Sequence, residues 1–282
     1  MRRFIMLLAI MSLVLSGCGQ KTLPQANNGE TAEAGTAPSA AIEQSATPTP
    51  TPTPTATATP TPTPTPVKPE YYISSAYFVK PLDKNGNNKV VLLTFDDGPK
   101  AEETLGGLLD TLDKHHAKAI FFVNGYRVKQ NPDLLKEIYE RGQTIGNHSW
   151  DHIDLSKENK EKVEQQIGDV QQIVKDTTGY TPVFFRPPYG AGKGFVKEVC
   201  AKNNLLYMTW SNGSLDWADN QHKPDGVIQS VLQQLHPGSN ILMHELPWTV
   251  AALDELLTTL EEKGYSFVDP RTIDLHPPET AN

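Results

Sequence analysis

The stretch VVLLTFDDGPK, residues 90–100, joins an apolar, β-branched run to two adjacent carboxylates, Asp96 and Asp97. A short apolar run that ends at a glycine and a proline is typical of a buried strand. Two neighbouring like charges repel each other, so one of them is expected to bind a cation or to shift its pKa. The stretch therefore predicts a strand of an α/β protein that ends at a functional site.

Strand and helix patterns alternate through the rest of the chain. Short apolar runs predict seven strands, at 90–95, 119–123, 143–146, 183–185, 205–209, 240–243 and 266–268. Amphipathic segments predict helices at 101–116, 133–141, 156–177, 193–203, 225–236 and 248–263. This order favours parallel strands joined by helical crossovers, in an open doubly wound sheet or in a barrel. Because no glycine-rich nucleotide fingerprint follows the first strand, we expect an α/β fold of the incomplete, distorted (β/α) barrel type, with about seven parallel strands.

Local signals mark where these helices begin and end. Ser156 is the expected N-cap of the helix at 156–177, whose apolar residues recur at helical spacing. Gly142, Gly179 and Gly264 stand where three of the helices are expected to stop.

The N-terminus is typical of a targeting signal. Arg2 and Arg3 precede an apolar stretch at 4–15 that is too short to span a membrane. It ends in LSGC, residues 15–18, which resembles a bacterial lipobox with Cys18 as the lipid-bearing residue. An ordinary secretory signal with a chance cysteine is the alternative. We expect residues 1–18 to be a lipoprotein signal peptide and the mature protein to be extracytoplasmic, anchored to the cell membrane and facing a bacterial cell wall.

Residues 19–69 form a Thr/Pro-rich segment that cannot bury apolar surface, so we expect a disordered, extended linker. Residues 70–282 are long enough for one domain with a sizeable core. Four of the 25 Lys and Arg and three of the 33 Asp and Glu precede Glu70, so this domain has a net charge of −9. Without a basic run, nucleic acid is an improbable partner. We expect a monomer, with Cys200 as a buried thiol.

Nearly every chemically suggestive group follows a predicted strand. The carboxyl ends of parallel strands share one face, where ligands bind, so these groups are expected to converge. HSWDH, residues 148–152, holds His148 and His152 four positions apart, which lie on one face if the segment is helical. With Asp97 as a third ligand, this set suits Zn²⁺ or a similar divalent ion such as Co²⁺. Asp96 then stays free to act as a base.

Three further motifs supply partners for this chemistry. RPPYG places Arg186 at a strand end, where its guanidinium is expected to orient Asp96 and to favour its charged form. ILMH places His244 where it suits a general acid. LDW adds Asp216, which could pair with His244, and Trp217, which could form a wall of a sugar pocket.

Five motifs, in the chain order TFDDG, HSWDH, RPPYG, LDW and ILMH, closely resemble those of polysaccharide deacetylases of the NodB-homology type, carbohydrate esterase family 4. The resemblance covers roughly residues 85–276. It implies a distorted barrel in which Asp97, His148 and His152 bind the metal. It also implies that the backbone N–H of Tyr189 helps to hold the oxyanion, and that Leu242 and Trp217 line an acetate pocket.

The same resemblance implies that Asp96 is the catalytic base, that Arg186 orients it, and that Asp216 tunes the acid His244. We therefore expect a metal-dependent N-deacetylase that acts on a cell-wall glycan containing N-acetylglucosamine, either peptidoglycan or chitin-like. An O-deacetylase of the acetylxylan type and an inactive glycan-binding module are the alternatives. Gly213 departs from the family pattern, which often has an aspartate there.

Overall fold

The computed structural model describes residues 67–219 and 222–276. The predicted signal peptide with Cys18 and most of the predicted linker lie outside these residues. Within the two described ranges, no helix combines the length and the apolar character needed to cross a membrane.

Eleven strands and seven α-helices are present in the described residues. The strands are β1 (Tyr71–Ile73), β2 (Val79–Pro81), β3 (Val90–Gly98), β4 (Ala119–Val123), β5 (Thr144–Asn147), β6 (Phe184–Phe185), β7 (Leu206–Tyr207), β8 (Asn212–Gly213), β9 (Ser239–His244), β10 (Ser266–Phe267) and β11 (Ile273–Asp274). The helices are α1 (Glu102–Lys114), α2 (Gly125–Gln130), α3 (Pro132–Glu140), α4 (Lys160–Thr178), α5 (Val196–Lys202), α6 (Pro224–Gln233) and α7 (Pro247–Glu262).

The larger sheet is a curled half-barrel of parallel strands, as the sequence predicts. Seven strands follow one another in the order β7-β6-β5-β4-β3-β9-β8, and β10 pairs with the start of β3. All seven predicted strands are present. The strand β8 was not predicted, nor was the separate three-stranded sheet β11-β1-β2.

The strand β3 is buried on both faces. Its side chains alternate between these faces, and this alternation determines which of them point into the barrel. Val91, Leu93 and Phe95 pack in the cluster that also contains the buried residues of α1 and α7. Leu92 belongs to a different cluster, on the opposite face of β3. Asp96 follows Leu92 by four residues and therefore lies on the same face of the strand as Leu92. The acidic end of β3 therefore projects toward the inside of the half-barrel.

The prediction that Ser156 caps a helix from 156 is wrong. A short 3₁₀ turn, Leu155–Lys157, comes first, and its cap is Asp154, whose side chain accepts from the backbone N–H of Ser156. The helix α4 begins only after Asn159, whose side chain accepts from the N–H of Lys162. Two capping side chains five positions apart divide the segment into two elements.

The predicted helix stops are confirmed. Gly179 follows α4 in the left-handed conformation, with φ of 76°. Gly142 and Gly264 adopt positive φ just beyond α3 and α7.

Candidate active site

The carboxyl ends of the parallel strands surround a cleft of about 450 Å³. Eight of the residues singled out from the sequence line it: Asp96, Asp97, His148, His152, Tyr189, Trp217, Leu242 and His244. Two residues that were not predicted, Pro187 and Trp210, complete the lining. Arg186 and Asp216 are buried behind the cleft. Residues separated by about 150 positions in the chain are thus brought to one face, as parallel strands require.

A β-bulge lies at the end of β3. Asp96 pairs with Phe122 and Gly98 pairs with Val123, so Asp97 is an extra residue in the ladder. Asp97 also has a φ of 67°, which is uncommon for a residue other than glycine. The bulge lets both neighbouring carboxylates face the cleft, although successive side chains of a regular strand point to opposite faces. The predicted strand end at 95 is therefore wrong, because β3 continues to Gly98.

Asp97, His148 and His152 form a cluster that could hold a metal ion. Their ligand atoms all lie within 4.8 Å of one another. Asp97 Oδ1 lies 3.5 Å from His148 Nε2 and 3.2 Å from His152 Nε2. Ligands bound tetrahedrally at about 2.0–2.1 Å from Zn²⁺ are roughly 3.3 Å apart, so this spacing fits one shared ion. Asp97 Oδ1 is also buried and has no hydrogen-bond partner within the described residues, as expected of an atom whose partner is a cation.

The electrostatics of this cluster favour metal binding. Burial alone would raise the pKa of Asp97, but the charges of His148 and His152, together with those of His244 and Lys100, outweigh it and the pKa lies below its ordinary value. Burial lowers the pKa of His152, which favours the neutral imidazole that a metal requires. His148 Nδ1 lies 2.7 Å from the carbonyl oxygen of Arg186, an arrangement that leaves Nε2 free to face Asp97.

The sequence predicted that His148 and His152 lie on one face if their segment is helical. The two histidines do not lie on a helix. Residues 148–154 form a loop, in which Ser149 and His152 have φ of 65° and 55°. The imidazole centroids are nevertheless 5.0 Å apart. The loop conformation, and not a helical repeat, brings the two rings together.

Arg186 lies beside Asp96, as predicted. Its guanidinium is fully buried, and Nη1 donates to Asp96 Oδ1 at 2.8 Å and to Thr94 Oγ1 at 2.7 Å. The second nitrogen, Nη2, donates to the carbonyl oxygen of Thr209 at 2.8 Å and to Asn240 Oδ1 at 3.1 Å. Four acceptors on three strands or strand ends thus fix the guanidinium plane, and it in turn fixes one oxygen of Asp96.

His244 and Asp216 form a second pair, in which Asp216 is fully buried and His244 is partly exposed to the cleft. His244 Nδ1 lies 2.7 Å from Asp216 Oδ1, and Asp216 Oδ2 accepts from the backbone N–H of His244 and from the hydroxyl of Thr249. Burial alone would lower the pKa of His244, but the hydrogen bond and charge of Asp216 raise it above its ordinary value. The Nε2 atom is left to face the cleft, where a protonated imidazole can donate a proton.

Aromatic side chains form the outer walls of the cleft. Trp217 is 44% exposed and meets the ring of His244 edge-on, with centroids 5.3 Å apart. Tyr189 is 69% exposed and meets the ring of His152 edge-on at 4.8 Å. A Cβ atom at Gly213 would lie 3.5 Å from Trp217 and 3.8 Å from the Nε1 of Trp210, so this glycine lies between two indoles of the cleft.

Several residues that hold this site were not predicted from the sequence. Thr94, Asn240 and Thr249 contact the predicted residues through single hydrogen bonds from other elements. Asn240 and Thr249 lie outside the five motifs, and Thr94, although it is the first residue of TFDDG, carries no charge that would single it out. Trp210 could have been found, because it lies at the head of the segment that contains Asp216 and Trp217.

Comparisons with known proteins agree with this geometry. Residues 83–208 match the family model described as polysaccharide deacetylase. The chain is 42% identical over 199 residues to the peptidoglycan-N-acetylglucosamine deacetylase PgdA of Listeria monocytogenes, covering 70% of this chain and 41% of that protein. It is 35% identical over 202 residues to the peptidoglycan-N-acetylmuramic acid deacetylase PdaC of Bacillus subtilis, covering 71% of this chain and 42% of that protein. The chain thus spans about two fifths of the length of these curated relatives.

A solved structure is similar over most of its length. The crystal structure of the Bc1960 peptidoglycan N-acetylglucosamine deacetylase, in complex with 4-naphthalen-1-yl-N-oxidanyl-benzamide, matches with a TM-score of 0.61 and 35% identity. The match covers 64% of this chain and 86% of that one.

Proposed function

The chain belongs to the polysaccharide deacetylase family, and from this premise we propose that it hydrolyses N-acetyl groups of a cell-wall glycan containing N-acetylglucosamine. The reaction consumes one water and yields acetate and a glycan amine. One observation supports this proposal above the others: a carboxylate, a possible metal site and an imidazole held by a buried aspartate line the same cleft. An acetamide is a poor electrophile with a poor leaving group, so its hydrolysis needs help at both ends.

The residues around Asp97 fit a divalent ion, which we propose to be Zn²⁺. When bound, such an ion polarises the acetyl carbonyl and makes water a better nucleophile at neutral pH. Asp97, His148 and His152 would hold it, leaving positions open for water and substrate. Zinc at about one hundred times its dissociation constant should raise the free energy of unfolding by about 2.7 kcal/mol. An Asp97→Asn variant should lose most of this increase, and metal analysis of the purified protein would distinguish zinc from cobalt or another ion.

Asp96 acts as the general base in this proposal. Its Oδ1 is held by Arg186, and its Oδ2 lies 3.6 Å from His148 Nε2, beside the metal ligands. The carboxylate can therefore take the proton of the attacking water as the new C–O bond forms. The backbone N–H of Tyr189 would stabilise the oxyanion that develops on the acetyl oxygen.

His244 then acts as the general acid. Its raised pKa keeps the imidazole protonated to a higher pH than usual, and its Nε2 faces the cleft opposite the Asp216 bond. The proton goes to the glycan nitrogen as the C–N bond breaks. Trp217 and Leu242 would enclose the acetyl methyl group, since both line the cleft.

The proposal also specifies which sugar unit of the glycan carries the acetyl group that is removed. Two of the similar proteins are described as N-acetylglucosamine deacetylases, and one is described as an N-acetylmuramic acid deacetylase. We propose N-acetylglucosamine units because the relative with the higher identity has that description. Peptidoglycan and chitin-like oligomers both contain such units.

Acetate release tests the proposal directly. The purified protein would be incubated with peptidoglycan, with chitin oligomers and with acetylated xylan, each with zinc and again after chelation. We expect chelator-sensitive release from the amide-linked glycans and loss of release in Asp96→Asn. Asp133→Asn, the same change at an exposed position of α3, serves as the control. Release confined to xylan would indicate an O-deacetylase, and release that survives Asp96→Asn or chelation would contradict the mechanism.

We also propose that Cys18 is lipidated and that the linker extends the catalytic domain from the cell membrane toward the cell wall. The lipobox-like LSGC sequence and the Thr/Pro-rich segment support this location. A Cys18→Ala variant should move the protein from the membrane fraction to the soluble fraction. Retention of this variant in membranes would contradict a lipid anchor at Cys18.

A further inference from the structure

Glu245 is a buried carboxylate that the proposed reaction does not use. It directly follows His244 at the end of β9 and is only 2% exposed. Its two oxygens accept from the backbone N–H of Lys100 at 3.0 and 2.9 Å. Its Oε1 also accepts from the N–H of Ala101 at 2.9 Å and from the hydroxyl of Thr104 at 2.7 Å. Four contacts therefore connect the end of β9 to the segment that follows β3.

This carboxylate replaces the cap that α1 lacks. The N-cap residue of α1 is Ala101, whose own side chain makes no capping bond. Glu245 reaches it from a position 144 residues later in the chain. A negatively charged acceptor at this place satisfies free N–H groups and interacts favourably with the helix dipole.

The segment that Glu245 holds begins at a metal ligand. Asp97 has a positive φ and belongs to the bulge of β3, a conformation that persists only where its surroundings enforce it. Gly98 packs against Glu245, since a Cβ on Gly98 would lie 2.9 Å from Glu245 Oε2. On the other side, the carbonyl oxygen of Gly98 accepts from the N–H of Asn124 at 3.1 Å. The residue next to Asp97 is thus held between two elements.

We propose that Glu245 is a positioning residue for the active site: it fixes residues 98–101 and thereby holds Asp97 in the conformation that binds the metal. Because Glu245 is continuous with His244, the same contacts fix the spacing between the acid and the metal ligand. This inference rests on the proposed metal-dependent function. Partners that orient metal ligands typically change affinity or activity 10- to 100-fold when they are removed.

Zinc affinity of the purified full chain, measured by competition with a chelating dye, tests this role. Glu245→Gln keeps the shape of the side chain but turns an NH₂ group toward N–H donors. We expect its zinc dissociation constant to rise at least tenfold and the absorption spectrum of its cobalt form to change. Asn159→Ala is the matched control, because it also removes a side-chain cap, from α4, away from the cleft. It should lower the unfolding midpoint without changing zinc affinity.

A second pair of variants keeps the inference testable if Glu245→Gln does not fold. Thr104→Val removes the hydroxyl contact to Glu245 and the bond that this hydroxyl donates to the carbonyl oxygen of Ala101, whereas Thr111→Val removes a hydroxyl of the same helix that bonds only the carbonyl oxygen of Gly107. Thr104→Val should weaken zinc binding at least threefold, and Thr111→Val should leave it unchanged.

The outcomes separate the two proposals. If the unaltered protein binds zinc and releases acetate but Glu245→Gln binds zinc equally well, the positioning role is wrong and the proposed function stands. Equal zinc affinity in Thr104→Val and Thr111→Val would also contradict the role. If the unaltered protein binds neither zinc nor cobalt and releases no acetate, both proposals fail.

Discussion

Replacing Asp216 by asparagine should shift the pH dependence of the reaction. In the structure Asp216 is fully buried and accepts from His244 Nδ1 at 2.7 Å. This contact and the negative charge of Asp216 raise the pKa of His244 against the effect of burial. Asparagine keeps the size of the side chain and removes its charge, so the imidazolium loses its strongest partner.

The size of the shift follows from the strength of this contact. A hydrogen bond between charged groups contributes about 1.5–3 kcal/mol, and solvent screens one whose acceptor is fully buried only weakly. Loss of this partner therefore removes about 1.5–3 kcal/mol of stabilisation from the imidazolium and lowers the pKa of His244. A general acid works only below its pKa. The alkaline limb of kcat/KM should therefore move to lower pH.

The assay is initial acetate release across the pH range, at a fixed saturating zinc concentration. Asp133→Asn, the exposed control, should keep the profile of the unaltered protein. An Asp216→Asn variant that binds zinc normally and keeps both its rate and its alkaline limb would refute the assignment of His244 as the acid. A uniform loss of rate without a shift would refute the argument that Asp216 acts through the pKa of His244.

Three further substitutions test the packing around the site. Arg186→Met should leave the carboxylate of Asp96 buried without its cation and lower the free energy of unfolding by about 3–5 kcal/mol in urea titration; a loss below about 1 kcal/mol would contradict the pairing. Gly146→Ala should cost about 1–3 kcal/mol, because its Cβ would lie 2.5 Å from the ring of Phe122. Gly213→Ala should change stability by no more than about 0.5 kcal/mol, since its Cβ has room, and a larger loss would show that this wall of the cleft is tighter than described.

The sheet could be predicted from the sequence wherever a strand has its own apolar run. The strands β3, β4 and β9 are buried and rich in Val, Ile, Leu and Phe, so their composition alone indicates them. The strand β8 is only Asn212–Gly213, without an apolar side chain. It exists because its backbone pairs with Ile241 and Leu242 of β9, and no local pattern reports such pairing.

The small sheet is missing from the prediction for a related reason. Its strand β1 pairs with β11, so Tyr71 lies opposite Ile273, about two hundred residues away in the chain. Each strand has two or three residues, too few to show a period. Contacts between distant short segments depend on the tertiary fold. Such contacts can be predicted from the sequence only where a motif identifies the residues involved.

The residues of the active site could likewise be predicted only where a local motif marks them. Its reacting groups could be predicted because each belongs to a motif at a strand end, whereas their supports could not. Thr94 and Asn240 hold Arg186, and Thr249 holds Asp216, through neutral side chains whose type does not indicate this role, even at Thr94, which belongs to a motif. Their importance comes from burial next to a charged group, where an unsatisfied donor or acceptor is costly.

The two adjacent carboxylates show why the arrangement works. In a regular strand one of them would point away from the cleft, but the bulge gives Asp96 a place in the ladder and leaves Asp97 outside it. Asp96 then meets a buried guanidinium, whereas Asp97 Oδ1 faces two imidazoles and has no hydrogen-bond partner among the described residues. The same residue type therefore acquires two environments, one suited to a base and the other to a metal ligand. Removing the bulge would return both carboxylates to the strand alternation and separate the base from the metal.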